Sequence, residues 1–172
     1  MALASSAFFL AFALTAGLWD LRTRRIPNWL TVGGATAGLG LVALSGGNAV
    51  QSLAGLGGAL GVGFLLHLTR LLGAGDAKLM TAVGAWAGWA RLPEAFLGML
   101  AGGALLALVW ALRGRVFRAS LLSTATLLSN MSQGRPAGSA WVGATEAGRF
   151  PYGLGLGAGA TVWWFWAGGM LP

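Results

Sequence analysis

Few side chains in this sequence can do acid–base or nucleophilic chemistry. There are two aspartates, two glutamates, one histidine, one lysine and one tyrosine, and no cysteine. Without cysteine there is no disulfide, no thiolate zinc site and no thiol nucleophile. Both aspartates stand in unusual company. The first opens the stretch Asp20-Leu-Arg-Thr-Arg-Arg-Ile-Pro27-Asn28, and the second lies in Gly73-Ala-Gly75-Asp76-Ala-Lys78. Proline biases Ile26 away from helix, and Asn28 is a natural N-cap for a helix starting at Trp29. The first stretch therefore reads as a tight turn with Asp20 at its start. In the second, Gly73 and Gly75 permit close backbone approaches that other residues block, which can bring Asp76 against a neighbouring helix. Two carboxyl groups held side by side share a proton. The charged one can take a proton from an attacking water while the neutral one donates to a carbonyl oxygen. That chemistry hydrolyses an amide without metal, cofactor or covalent intermediate. Each stretch alone also has a plainer reading: Asp20 offsets three arginines in an interfacial loop, and Asp76 caps a helix.

The remaining candidates carry less. His67 has no second histidine or cysteine to share a metal with and reads as a packed residue near the end of an apolar segment. Gly153-x-Gly155-x-x-Ala158 matches a dinucleotide fingerprint in letters, but it lies in an apolar run with no strand before it and reads as helix packing. Asn130-Met-Ser132 is a glycosylation sequon in spelling alone, and Glu94 and Glu146 fall in loops without an assigned role.

What must position the aspartates is a set of membrane helices. Of the 172 residues, 56% are hydrophobic and 9% are charged, against roughly 25% charged in a soluble domain. The 30 glycines sit inside apolar runs, where they let membrane helices approach closely. The apolar start, 1–17, lacks the basic leading region of a secretory signal and reads as a retained first span. Six apolar segments follow along the chain, at 2–19, 29–45, 53–72, 78–90, 94–112 and 152–171. The fourth is shorter than the roughly 20 residues that a spanning helix needs. The expected fold is all-α, a polytopic membrane protein of about six transmembrane helices forming one domain over 1–172.

Basic residues orient those spans. Arg22, Arg24, Arg25, Arg70, Lys78, Arg113, Arg115, Arg118, Arg135 and Arg149 fall at one set of span ends, and Arg91 alone at the other. Positive residues stay cytoplasmic, so both termini are expected outside and both aspartates at the cytoplasmic side. Trp19, Trp29 and Trp110 then fall near inner ends, and Trp86, Trp89, Trp163, Trp164 and Trp166 near outer ends, as interfacial aromatic belts do. The +7 charge thus follows membrane topology, and no nucleic-acid partner is expected. The long cytoplasmic loop, 113–151, places Phe117, Leu121, Leu128 and Met131 at helical spacing, which suggests an interfacial helix. Its second half, 133–148, is rich in Gly, Ala and Ser and reads as a connector.

Together, the two aspartate stretches resemble the prepilin peptidases, membrane enzymes of the GxGD aspartyl protease class. The hallmarks are an Asp followed by basic residues ending Ile-Pro-Asn, and a Gly-x-Gly-Asp-x-Lys turn; both stand here in full. Pro151-Tyr152-Gly153 resembles the family's final-helix motif. The resemblance implies that Asp20 and Asp76 are the catalytic pair, with Gly73, Gly75, Pro27 and Asn28 shaping the supporting turns. It implies removal of the leader from a prepilin at the cytoplasmic face of a bacterial inner membrane, with no cofactor. The short spacing between Asp20 and Trp29 leaves no room there for the cytoplasmic insertion of the larger bifunctional relatives. The chain therefore looks like the short form associated with Flp (tight-adherence) pili, with product methylation in doubt.

Finer roles follow from position. Asp20 ends an expected helix, where the dipole disfavours an anion, and Asp76 begins one, where it favours an anion. On that ground Asp76 is expected to be the ionised base and Asp20 the protonated partner. Lys78 and Arg22 are candidates to pair with an acidic residue near the mature N-terminus of the substrate, beside their plainer role as topology signals. The rival class is a small channel or ion-coupled transporter subunit whose aspartates bind a cation or proton. It expects acids nearer the bilayer midplane and leaves the two turns unexplained. A non-catalytic assembly factor is a second rival.

Overall fold

A computed structural model of the chain describes residues 2–23, 26–69, 72–113, 129, 152–169 and 171–172. Among these the structure is all-helical, without strands. The elements are α1 (Ala2–Thr23), α2 (Asn28–Leu44), α3 (Ala49–Leu68), α4 (Ala74–Arg113) and α5 (Tyr152–Trp166). Three helices, α1, α3 and α4, are long and apolar enough to cross a membrane, and α2 is a shorter apolar helix. Their outward faces carry exposed Leu14, Leu18, Val32, Leu60, Phe64 and Leu97, the surface of a helix set solvated by lipid.

Two boundaries differ from the sequence-based expectation. Helix α1 continues through Asp20 to Thr23, because Leu21 and Arg22 are good helix formers. The separate fourth and fifth segments are both parts of α4, with Arg91, Pro93 and Glu94 inside helix. The break comes earlier, at Gly88 (φ 69°, ψ 170°). That left-handed conformation suits glycine, and a Cβ there would also lie 2.7 Å from Pro172 Cβ.

The chain forms two compact units, 1–104 with 151–172, and 105–150. In the second, the described residues are the end of α4 and Ser129. In the first, glycine and alanine set the helix spacing. Gly55, Ala59 and Gly63 form one face of α3 and meet Gly84, Gly88 and Ala77 of α4. Gly155 and Gly159 of α5 meet Gly98, Gly102 and Gly103. Backbone-to-backbone approach of this kind replaces the hydrophobic drive that is missing between helices in lipid. Within the Gly153–Ala158 run, Gly155 therefore serves helix packing.

A cluster of aromatics fills the centre. Phe9 stacks on Trp164 at 4.6 Å, and Trp86 meets both edge-on at 5.3 and 5.6 Å. Trp86 Nε1 donates to the Gly34 carbonyl at 2.9 Å, and Trp164 Nε1 donates to Ser6 Oγ at 3.1 Å, so these buried indoles keep polar partners. The contacts also fix directions. Residues 63 and 77, and 55 and 88, pair α3 antiparallel to the first arm of α4. Residues 13 and 157, and 17 and 154, pair α1 antiparallel to α5. The C-terminal ends of α1 and α3 and the N-terminal ends of α2, α4 and α5 therefore lie at one end of the unit.

Candidate active site

That end carries both aspartates. Asp76 lies in the first turn of α4, half-buried. Gly73 is the residue whose carbonyl starts this helix, accepting from Ala77 N at 3.0 Å. Its own N–H donates back to the Asp76 carboxylate, the acidic half of a capping box. Gly73 leaves space for that carboxylate, since a Cβ there would lie 2.9 Å from Asp76 Oδ2. Gly75 lies against Ile26, where an added Cβ would find ordinary contacts at 3.6 Å. Neither glycine has a positive φ; at Gly73 what glycine supplies is space beside the Asp76 carboxylate.

Asp20 is buried, 7% exposed, near the end of α1. Its Oδ2 accepts a hydrogen bond of 2.9 Å from the backbone N–H of Gly153, the second residue of α5. Asp20 is therefore placed differently from the helix-end expectation. Asp20 does face the unfavourable end of its own helix, but it also sits on the favourable N-terminus of α5. Both carboxyl groups thus lie at a helix N-terminus, and helix polarity does not separate their roles. The two also interact electrostatically with each other.

Ile26 joins the two turns. It is buried, touches the Gly75 position on one side, and lies 3.0 Å, through Cδ1, from where a Cβ of Gly153 would be. Pro27 is extended (φ −71°, ψ 147°) and precedes α2 as its N-cap, without a side-chain cap bond. Asn28, expected to cap α2, is its first residue; its Oδ1 instead accepts 2.7 Å from Lys78 Nζ. Pro27 holds the N-cap position instead, and its carbonyl accepts from Leu30 N and Thr31 N. Lys78 and Asn28, both exposed, tie the two aspartate turns together across 50 positions of sequence.

Arg22 is exposed in the last turn of α1. His67 is also exposed, with Nδ1 3.1 Å from the Leu72 carbonyl oxygen; the expectation that it is packed does not hold. Arg24, Arg25, Arg70, Pro151, the sequon at 130–132, Glu146, the expected interfacial helix and the connector lie outside the described residues, Ser129 apart. No group of three or more His, Asp or Glu side chains that could hold a metal occurs among the described residues. The structure brings Asp20, Ile26, Asn28, Asp76 and Lys78 to one place, and adds Gly153. Sequence reasoning noticed Gly153 in its Pro-Tyr-Gly motif without linking it to Asp20. Such an arrangement can hold two carboxyl groups, each oriented by a backbone N–H, on either side of a peptide bond.

Residues 7–112, more than half of the chain, match the model of the type IV leader peptidase family. The chain is 39% identical over 126 residues to a prepilin leader peptidase/N-methyltransferase of Burkholderia pseudomallei strain 1026b, covering 65% of this chain and 40% of that protein. The protein of the same name from strain K96243 matches to the same extent. A third, from Pectobacterium carotovorum subsp. carotovorum, is 34% identical over 119 residues, covering 64% of this chain and 42% of that protein. The chain thus spans about two-fifths of the length of these curated relatives. No solved structure matches it.

Proposed function

Because the chain belongs to the type IV leader peptidase family, we propose that it is a membrane-embedded aspartyl endopeptidase that removes the leader from prepilins of the Flp type. Asp20 and Asp76 are its catalytic pair. The observation that carries this reading is their placement at one end of the helix set, each on a helix N-terminus, with Ile26 packed against both Gly153 and Gly75. In the reaction, one carboxylate takes a proton from water as the oxygen attacks the scissile carbonyl. The other carboxyl group donates to the carbonyl oxygen, and collapse of the tetrahedral intermediate releases the amine with a returned proton.

We propose six membrane crossings, the two arms of α4 taken separately, with both termini outside and the aspartates at the cytoplasmic face of the inner membrane. Since the sequence has no cysteine, single cysteines can report this directly. Ser45→Cys, at the end opposite the aspartates, is expected to react with an impermeant maleimide in intact cells, and Thr23→Cys only after lysis. The reverse pattern would invert the topology.

Lys78 and Arg22 are proposed to meet an acidic substrate residue near the cut. Both are exposed, so Lys78→Gln or Arg22→Gln is expected to raise KM only about two- to fivefold, with kcat retained. Unchanged KM in both variants would leave them as topology signals.

The function itself is tested by co-expressing the chain with Flp-type and larger type IV prepilins and weighing the products. Leader loss is expected with the Flp-type substrate. If an inserted chain trims none of them, an ion-coupled or assembly role replaces the peptidase reading.

A further inference from the structure

Three observations converge on Gly153. Its N–H donates to Asp20 Oδ2 at 2.9 Å in a buried setting. A Cβ at this position would lie 2.9 Å from both Asp20 Cγ and Asp20 Oδ2, and 3.0 Å from Ile26 Cδ1. The residue is buried itself, at the start of a helix whose next turns are locked by Gly155, Gly157 and Gly159 against α1 and α4. Helix α5 therefore cannot slide away from Asp20 without losing close backbone packing along its length.

We propose that Gly153 is a positioning residue for the reaction: the first turn of α5, through the Gly153 N–H and the missing side chain, seats the Asp20 carboxyl group. This rests on the catalytic role proposed for Asp20. A buried carboxyl group has two rotational freedoms to lose, and a backbone donor on a packed helix restricts both. The requirement for glycine is geometric. The atoms that a methyl group would meet are the carboxyl carbon and oxygen themselves, so making room means moving the reacting group. The same helix end supplies the partial positive charge that favours an anionic carboxylate there. Asp20 is thus set by a residue 133 positions away in sequence, on an element outside the matched residues 7–112.

The test uses the full chain in liposomes with a cleavable prepilin. Wild type must first cut; if it does not, the peptidase reading fails and not this one. Against an active wild type, Gly153→Ala is expected to lower kcat roughly 10- to 100-fold, the range for losing a hydrogen bond to a charged group, with KM held and the pH profile shifted. Gly33→Ala, at a position with nothing within 4 Å, is expected to leave both unchanged. Should Gly153→Ala fail to insert, a backbone ester at 153, made with glycolic acid in place of glycine, removes the N–H without adding volume. It is expected to lower kcat similarly, and to shift the carboxyl stretching band that disappears in Asp20→Asn. Wild-type kcat, pH profile and carboxyl band in the ester variant would overturn the proposal.

Discussion

Asp20→Asn and Asp76→Asn are each expected to lower the rate of leader removal by roughly 10³-fold, within the range that positioned acid–base groups supply. The double variant should be no slower than either single one. The substitution keeps shape and volume but removes the group that takes or gives the proton. In the proposed mechanism the carboxyl groups act as one proton-sharing unit, so losing either disables both, and the costs do not add. Asp20→Asn keeps an oxygen able to accept from Gly153 N, and Asp76→Asn keeps one able to accept from Gly73 N. Folding and insertion are therefore expected to survive, and rates can be compared at equal amounts of inserted protein. A single-turnover assay in membranes reads the effect. Additive losses in the double variant would show two carboxyl groups working independently.

The second large effect is on the fold. Gly159→Val is expected to destabilise the helix set by about 3 kcal/mol or more, at the upper end for overpacking. A Cβ at 159 would overlap the Gly98 carbonyl oxygen and stand 3.0 Å from Gly102 Cα. Both are backbone atoms of α4, so no side-chain rotation relieves the clash. Gly57→Ala is the matched control, since nothing lies within 4 Å of that position; replacing a helical glycine there should be neutral or stabilising by up to about 1 kcal/mol. Unfolding midpoints in mixed micelles, followed by helical circular dichroism, compare the two. Equal midpoints would mean that the α4–α5 approach is looser than the structure has it.

The aspartates were legible in sequence because acids are rare in this chain and each stands beside a turn signal. How they approach was not, since Asp20 and Asp76 are 56 positions apart and their turns meet through Ile26, an apolar residue without chemistry of its own. The α4 region misled for a definite reason. Arg91, Pro93 and Glu94 look like a loop, yet they continue a helix whose break is at Gly88, hidden in an apolar run. Asn28 showed the limit of local rules: its position suits a cap, but Lys78 offers a charged donor at 2.7 Å while Pro27's carbonyl serves the helix start. Helix polarity at Asp20 failed similarly, because the N-terminus that matters belongs to α5, whose packing on α1 no periodicity reveals.

The most direct test of the central claim is hydrolysis by the purified chain alone. The wild-type protein, reconstituted in liposomes with a Flp-type prepilin and a metal chelator, would be followed by the masses of all products. Two fragments from a single bond, together one water heavier than the substrate, and none from Asp20→Asn or Asp76→Asn, are the expected result. Undiminished cleavage by either Asn variant, or intact prepilin beside correctly inserted wild type, would contradict it.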